Sequence, residues 1–180
     1  MSRPPHARES VLDAFERLLV EDGERAATMD AAARAAGVSK GGLLYHFASK
    51  DALEQALLER LDALAEADVA AMATASEGAV AYFVRTSVMD GNALDRALIS
   101  ASRLAQSGHA GAVDALRRVR ARWEDELRPH VRDEAALDLV LLVSDGLYFN
   151  NALNAAGAGG TVPRGPALDA LVALVERSAR

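Results

Sequence analysis

The chain has no cysteine, which excludes disulfides and thiolate chemistry. Aromatic residues make up only 4% of it. β-branched residues are sparse too, and no stretch alternates with period two for long, so a sheet architecture is not expected. Long hydrophobic runs are also missing. The longest strongly apolar stretch, Leu137 to Leu147, is interrupted by Asp138, Ser144 and Asp145, so no membrane span is expected. The opening Met1-Ser2-Arg3-Pro4-Pro5-His6 lacks the apolar core of a signal peptide, and a cytoplasmic location is the expectation. Signatures of catalysis are absent. His6, His46, His109 and His130 show no paired metal-ligand spacing. The loop Gly157-Ala158-Gly159-Gly160 lacks the Lys-Ser/Thr of a phosphate-binding loop and follows a helical pattern instead of a strand. No Gly-x-Ser-x-Gly elbow occurs. The expectation is a protein that is not an enzyme and needs no metal or cofactor.

Lysine is nearly absent. Two lysines stand against eighteen arginines, and both fall in Ser39-Lys40-Gly41-Gly42-Leu43-Leu44-Tyr45-His46-Phe47-Ala48-Ser49-Lys50. That clustering, with two glycines and a Tyr-His pair, suggests a surface that meets an anion at close range, DNA first among candidates. The net charge of −6 opposes this only weakly, because of where it lies. Residues 1–50 carry seven basic and seven acidic residues, so the whole excess belongs to residues 51–180. An acidic body would repel phosphate and help orient a neutral head that has local basic groups.

What is present is helical periodicity at three and four. A first helix is expected over about 8–21, with Val11, Leu12, Phe15, Leu18 and Leu19 on one face and Gly23 as its stop. Thr28 can cap a second through Ala36, with Asp30 near its positive end. Gly37 suits a left-handed stop. Ser39 can cap a third helix to about Phe47, and Ser49 a fourth to about Ala73. Further helices are expected at about 77–89, 92–107, 110–128, 133–155 and 166–178, with Pro129 ending or kinking the seventh and Pro166 in the first turn of the last. The Gly/Pro-rich stretch 157–166 is the only long loop signal and the candidate for disorder. The expected fold is all-α with about nine helices.

The second and third helices, joined by Gly37-Val38-Ser39, have the proportions of a helix-turn-helix. Val38, Leu43 and Phe47 can face the first helix, which leaves Lys40, Gly41, Leu44, Tyr45 and His46 for solvent or a groove. Each glycine costs a helix about 0.5–1 kcal/mol against alanine. Close approach of the helix start to a phosphate or base edge would compensate. Lys40 could reach a guanine edge or a phosphate, Tyr45 a phosphate or a thymine methyl, and Lys50 a phosphate. For His46, packing beside Phe47 is an equal alternative.

Gly23, Thr28, Ala33, Ala36-Gly37-Val38-Ser39, Leu43, His46-Phe47, Lys50 and Leu53 together resemble the N-terminal domain of TetR-type transcriptional repressors, over about residues 8–58. The resemblance implies a homodimer in which residues 1–50 form a three-helix DNA-binding domain and residues 51–180 a ligand-binding and dimerisation domain. Carried over by position, the DNA-binding set is Thr28, Ser39, Lys40, Gly41, Gly42, Leu44, Tyr45, His46 and Lys50. Arg3 and Arg8 could add contacts from a flexible arm. Two positions depart from the family pattern. Leu44 stands where the family usually has Tyr, so Tyr45 takes over the phosphate contact or the contact is lost. Ala32 stands where a larger aliphatic residue is usual.

In the body, Phe83, Trp123, Ser144, Tyr148 and Asn151 are candidates for lining a ligand site, although core filling is the readier account of Phe83, as it is of Phe149. Ser144, Tyr148 and Asn151 fall on one stripe at i, i+4, i+7, which faces either a ligand or a partner subunit, with a solvent face the least favoured reading. Leu168, Leu171, Val172 and Val175 form a stripe on the last helix. It could pack within the monomer, but the family's four-helix pairing of its last two helices favours a dimer interface. Two heads would then bind a near-palindromic operator. The basic run Arg117, Arg118, Arg120, Arg122 is followed by Glu124-Asp125-Glu126 and reads as a solvated, self-paired face. The expected function is a ligand-responsive regulator, most readily a repressor released from double-stranded DNA by an unidentified small molecule. The alternative is a helical small-molecule-binding protein or enzyme without DNA binding.

Overall fold

A computed structural model describes the backbone of residues 4–155 and 157–180, and the side chains of these residues other than 4, 5 and 155. Among the described residues there are nine α-helices and no strand: α1 Pro4–Asp22, α2 Met29–Ala35, α3 Lys40–His46, α4 Lys50–Ala73, α5 Ala79–Thr86, α6 Ala93–Gln106, α7 Ala110–Leu127, α8 Glu134–Ala155 and α9 Pro166–Ala179. A single 3-10 turn, Arg128–His130, carries Pro129 after α7. None of these helices is long and apolar enough to cross a membrane. The first helix begins earlier than its apolar face predicts, so Arg8 lies inside α1 and not on a flexible arm. Arg3 lies outside the described residues.

The chain packs as two units. One comprises residues up to Leu64 together with Gly91–Val119, and the other Ala65–Asp90 together with Arg120–Arg180. These differ from the sequence division at residue 50, because α6 closes against α1 and joins the first unit.

In the first unit, Val11, Leu12, Phe15 and Leu19 of α1 are buried, as are Leu43 and Phe47 at α3 and Leu53, Leu57 and Leu61 of α4. Burying a side chain of this kind contributes roughly 1.5–3 kcal/mol. The α1–α6 seam is polar. Arg96 Nε donates to Glu16 Oε2 at 3.4 Å, its Nη1 donates to the Gly91 carbonyl at 2.6 Å, and Ser100 Oγ donates to the Glu16 carbonyl at 3.4 Å. Arg60 on α4 donates to Glu9 and Asp13, both at 2.7 Å, and lies 3.6 Å from Glu16. Glu16 is buried, and its second oxygen has no partner. Burial raises its pKa against the opposing pull of Arg60 and Arg96.

In the second unit, α5, α8 and α9 pack together. Arg85 of α5 donates to Asp169 of α9 at 2.7 Å. Leu168, Val172 and Val175 are buried within this chain, and Leu171 is half-buried. The α9 stripe expected to meet a second copy is thus used inside the monomer, where it covers α5 and α8. The stretch expected to be disordered is hydrogen-bonded onto the end of α8. Thr161 N donates to Asn150 Oδ1 at 3.0 Å, Gly160 N to Asn154 Oδ1 at 2.7 Å, and Ala158 N to the Leu153 carbonyl at 2.8 Å. A side chain at Gly160 would meet the Asn150 carbonyl oxygen at 2.4 Å, so glycine there is a packing requirement.

Candidate nucleic-acid interface

Local chemistry sets the helix-turn-helix. Thr28 Oγ1 accepts from Ala31 N at 3.1 Å at the start of α2, and Ser39 Oγ from Gly42 N at 3.0 Å at the start of α3. Gly37 between them takes φ +69, a left-handed conformation that costs glycine nothing. Ser49 Oγ accepts from Ala52 N at 3.1 Å and opens α4. Leu43 and Phe47 point inward, as expected, and Val38 is half-buried. The outward face carries Lys40, Gly41, Gly42, Leu44 and Tyr45.

Tyr45 is 83% exposed and Leu44 44%. These are large side chains to leave in water, and among the described residues no hydrogen bond occupies the Tyr45 hydroxyl. A Cβ at Gly41 would meet nothing within 4 Å, and one at Gly42 would meet Ser39 Oγ at 3.3 Å. The chain's own packing therefore does not demand Gly41. His46 is half-buried and lies edge-on to the Tyr45 ring, with centroids 5.1 Å apart. Arg8 stands over the Phe47 ring at 5.1 Å and pairs with Glu9 at 3.1 Å.

The two lysines differ in their surroundings. Lys40 Nζ is 3.0 Å from Asp30 Oδ1, and both side chains are mostly exposed. Lys50 is partly buried between two carboxylates. It pairs closely with Glu24 of the α1–α2 turn and lies 3.6 Å from Glu54, one turn along α4. Glu54 in turn lies 3.5 Å from His109 Nε2. Desolvation alone would lower the Lys50 pKa, but the hydrogen bond that Lys50 donates to Glu24 and the charges of both glutamates raise it. The hydrogen bond from Lys50 lowers the pKa of Glu24. Lys50 therefore ties the α1–α2 turn to α4, a role that sequence position alone does not reveal. Sequence reading also missed Asp30 as a partner of Lys40. It treated the residue only as a favourable charge at the start of α2. Arg25 and Arg34 add surface charge to this unit. Both are exposed in this unit and have no ion pair with the described residues. Their types match any surface arginine, so no local pattern marks them.

In the second unit, the candidate ligand-lining residues divide. Phe83 and Trp123 are buried side by side, with ring centroids 5.6 Å apart. Trp123 Nε1 donates to Asp68 Oδ2 at 2.9 Å, and the Tyr82 hydroxyl donates to Asp68 Oδ1 at 3.0 Å. Burial, with Asp68 beside it, pushes the Tyr82 phenol up to about 12. Ser144 is buried against Ser87, with hydroxyls 2.7 Å apart, and Ser87 Oγ donates to the Phe83 carbonyl. Asn151 donates to the Leu147 carbonyl of its own helix, and Tyr148 is half-buried. Asp68, Tyr82 and Ser87 complete a polar cluster around the expected aromatic pair. They lie on α4, on α5 and at the residue that caps α5, and only the folded chain brings them to Trp123 and Ser144.

The basic run of α7 is fully committed. Arg117 pairs with Asp114, Arg118 with Asp62, and Arg120 with Glu124 and Asp145, while Arg122 also has an interaction partner.

Comparison with known proteins agrees with this architecture. Residues 11–57 match the model for bacterial regulatory proteins of the tetR family, and residues 77–176 match the model for the tetracyclin repressor-like C-terminal domain. No curated protein matches the sequence. A structure assigned as a TetR-family transcriptional regulator from Rhodococcus sp. superposes with a TM-score of 0.66 at 16% identity, covering 96% of this chain and 98% of that one. One assigned as a transcriptional regulator from Streptomyces coelicolor A3(2) superposes at 0.63 with 21% identity, covering 97% and 99%. At these identities the likeness is one of fold.

Proposed function

Because the chain belongs to the TetR family of bacterial regulatory proteins, we propose that it is a ligand-responsive repressor that binds a near-palindromic operator as a homodimer. The observation that carries this reading is the outward face of α3. Exposed Leu44 and Tyr45 stand beside Lys40 and a glycine that the chain's own packing does not require. That surface suits the major groove, where backbone must come close and apolar groups meet thymine methyls. In this reading, residues 1–50 supply the DNA contacts: Thr28, Ser39, Lys40, Gly41, Gly42, Leu44, Tyr45 and His46, with Lys50 at the edge. The Tyr45 hydroxyl is exposed and takes the phosphate contact that Leu44 cannot make.

Residues 51–180 supply dimerisation and effector binding. The dimer face we infer is the exposed one. On α8, Leu139, Leu142, Gly146 and Phe149 recur at alternating intervals of three and four, with Leu142 66% and Phe149 65% exposed. On α9, Leu174 is exposed, with the small Ala170 and Ala167 one and two turns before it. Such a stripe fits helix-against-helix packing between copies. The effector is a small apolar or amphipathic molecule received beside Phe83, Trp123, Ser144, Tyr148 and Asn151. By linkage, an effector that weakens DNA binding must bind the DNA-bound form less well.

The test is a gel-shift assay with the DNA upstream of the protein's own gene. Wild type should bind at low salt, and Lys40→Ala should reduce or redirect binding. If neither protein binds at low salt, the repressor reading fails.

A further inference from the structure

We propose that Asp30 of α2 belongs to the base-reading surface. It holds the Lys40 ammonium so that the pair reads the major-groove edge of a G·C base pair. This deepens the DNA-binding reading above and depends on it. The structural fact is the 3.0 Å contact between Lys40 Nζ and Asp30 Oδ1, made across the turn between two short helices. Neither residue is needed to start its helix, since Thr28 caps α2 and Ser39 caps α3. Asp30 also gains from its place in the first turn of α2, but that gain needs no lysine. Both side chains are more than 60% exposed, so the pair is too open to stabilise the fold strongly.

A lone lysine is a flexible point charge that settles on any phosphate. A carboxylate alongside changes its selectivity in two ways. It repels phosphate, and it adds an acceptor at a fixed distance from the donor. The complementary partner therefore presents acceptors next to a donor. A G·C pair does so in the major groove, where guanine N7 and O6 accept and the cytosine N4 amino group donates. The ammonium would donate to guanine and the carboxylate would accept from cytosine. An A·T pair separates its acceptors, N7 and O4, by the adenine amino group and adds a methyl, so the ammonium finds no adjacent pair of acceptors. Gly41, next to Lys40, leaves bare backbone where a side chain would hold the base edge away.

The experiment selects from a library of randomised DNA duplexes with the full chain, comparing wild type, Asp30→Ala, Asp30→Asn and Lys40→Ala. Circular dichroism confirms that each is folded, which the exposure of both residues leads us to expect. Wild type should select a motif with one G·C pair per half-site that is preferred about tenfold over A·T. Lys40→Ala and both Asp30 variants should relax that same base pair to less than threefold and leave the others unchanged. The Asp30 variants should also bind random duplex severalfold more tightly at low salt, because the freed ammonium can take a phosphate. The inference is overturned if the Asp30 variants keep the wild-type motif while Lys40→Ala changes it, or if the shared position selects A·T. If wild type enriches no motif and binds no duplex at low salt, the DNA-binding reading falls, and this inference with it.

Discussion

The α3 face and the α8–α9 face both leave large apolar side chains in water, but they do so differently. On α3, Leu44 and Tyr45 stand beside glycine backbone and the Lys40–Asp30 pair. On α8 and α9, Leu139, Leu142, Phe149 and Leu174 stand beside the small Gly146, Ala167 and Ala170, with exposed Asp138 and Arg177 at the margin, and the nearby Asp145 pairs with Arg120 at 2.7 Å. Exposed apolar area alone does not identify a partner. Its neighbours do. A cation beside bare backbone suits a hydrated polyanion, whereas a continuous apolar heptad-like stripe with charge only at its margin suits a second protein surface.

The most decisive way to break this contrast is a pair of charge insertions. Leu142→Asp should convert dimer to monomer in light scattering and weaken operator binding by about 100-fold, because the second head then no longer binds intramolecularly. Tyr45→Asp should remove DNA binding while the mass stays that of a dimer. If both variants lose both properties, the two faces are not separate surfaces. A salt series draws the same line without mutation. Raising salt from 50 to 200 mM should cost DNA affinity about a thousandfold if some six phosphates are contacted, while the dimer mass should not change.

The sequence revealed the two faces unequally. The α3 face was legible because its determinants are local. Thr28, Ser39 and Ser49 each cap the helix that follows, Gly37 stops the one before, and the helix bounds agree within a few residues. The α8–α9 face was not. The stripe Leu168, Leu171, Val172 and Val175 is as apolar as a partner surface, and periodicity cannot say which of two apolar stripes faces the core. Packing of α9 with α5 and α8 decided it. The same limit hid Asp68 and Ser87, whose partners Trp123 and Ser144 lie 55 and 57 residues away. Lys50 shows what a local motif leaves out: the partners that the fold brings to it. Its place at the start of α4 fits a phosphate contact, and the fold adds Glu24 and Glu54 beside it.

Gly146 tests the protein-facing side more finely. A Cβ there would meet nothing within 4 Å in this chain, so alanine should favour the helix by about 1 kcal/mol. Any cost must then come from a second copy. Gly146→Ala should raise the melting temperature of the monomeric Leu142→Asp background and weaken the dimer of the otherwise wild-type chain. If it strengthens both, the helices of the two copies do not approach closely at residue 146.

The smallest effect we expect is a pH signature from two glutamates of the first unit. Glu16 at the α1–α6 seam has its pKa raised above the ordinary 4.5, mainly by burial. The folded chain therefore keeps a proton that the unfolded chain has lost. The stability Glu16 contributes is complete below 4.5 and declines as pH rises through its folded value. Glu24 is opposite. The hydrogen bond and charge of Lys50 lower its pKa, so its contribution is present above 4.5 and is lost as pH falls through its folded value. Carboxyl-carbon NMR should show Glu16 titrating above 4.5 and Glu24 below it. In melting curves, Glu24→Gln should flatten the slope just below pH 4.5, and Glu16→Gln the slope just above. Glu24→Gln also frees one side of Lys50, and the result separates two roles for that lysine. If DNA affinity rises and its salt dependence steepens by about one counterion, Lys50 is a phosphate ligand restrained by its own carboxylates. If stability alone changes, Lys50 is only the strut between the α1–α2 turn and α4.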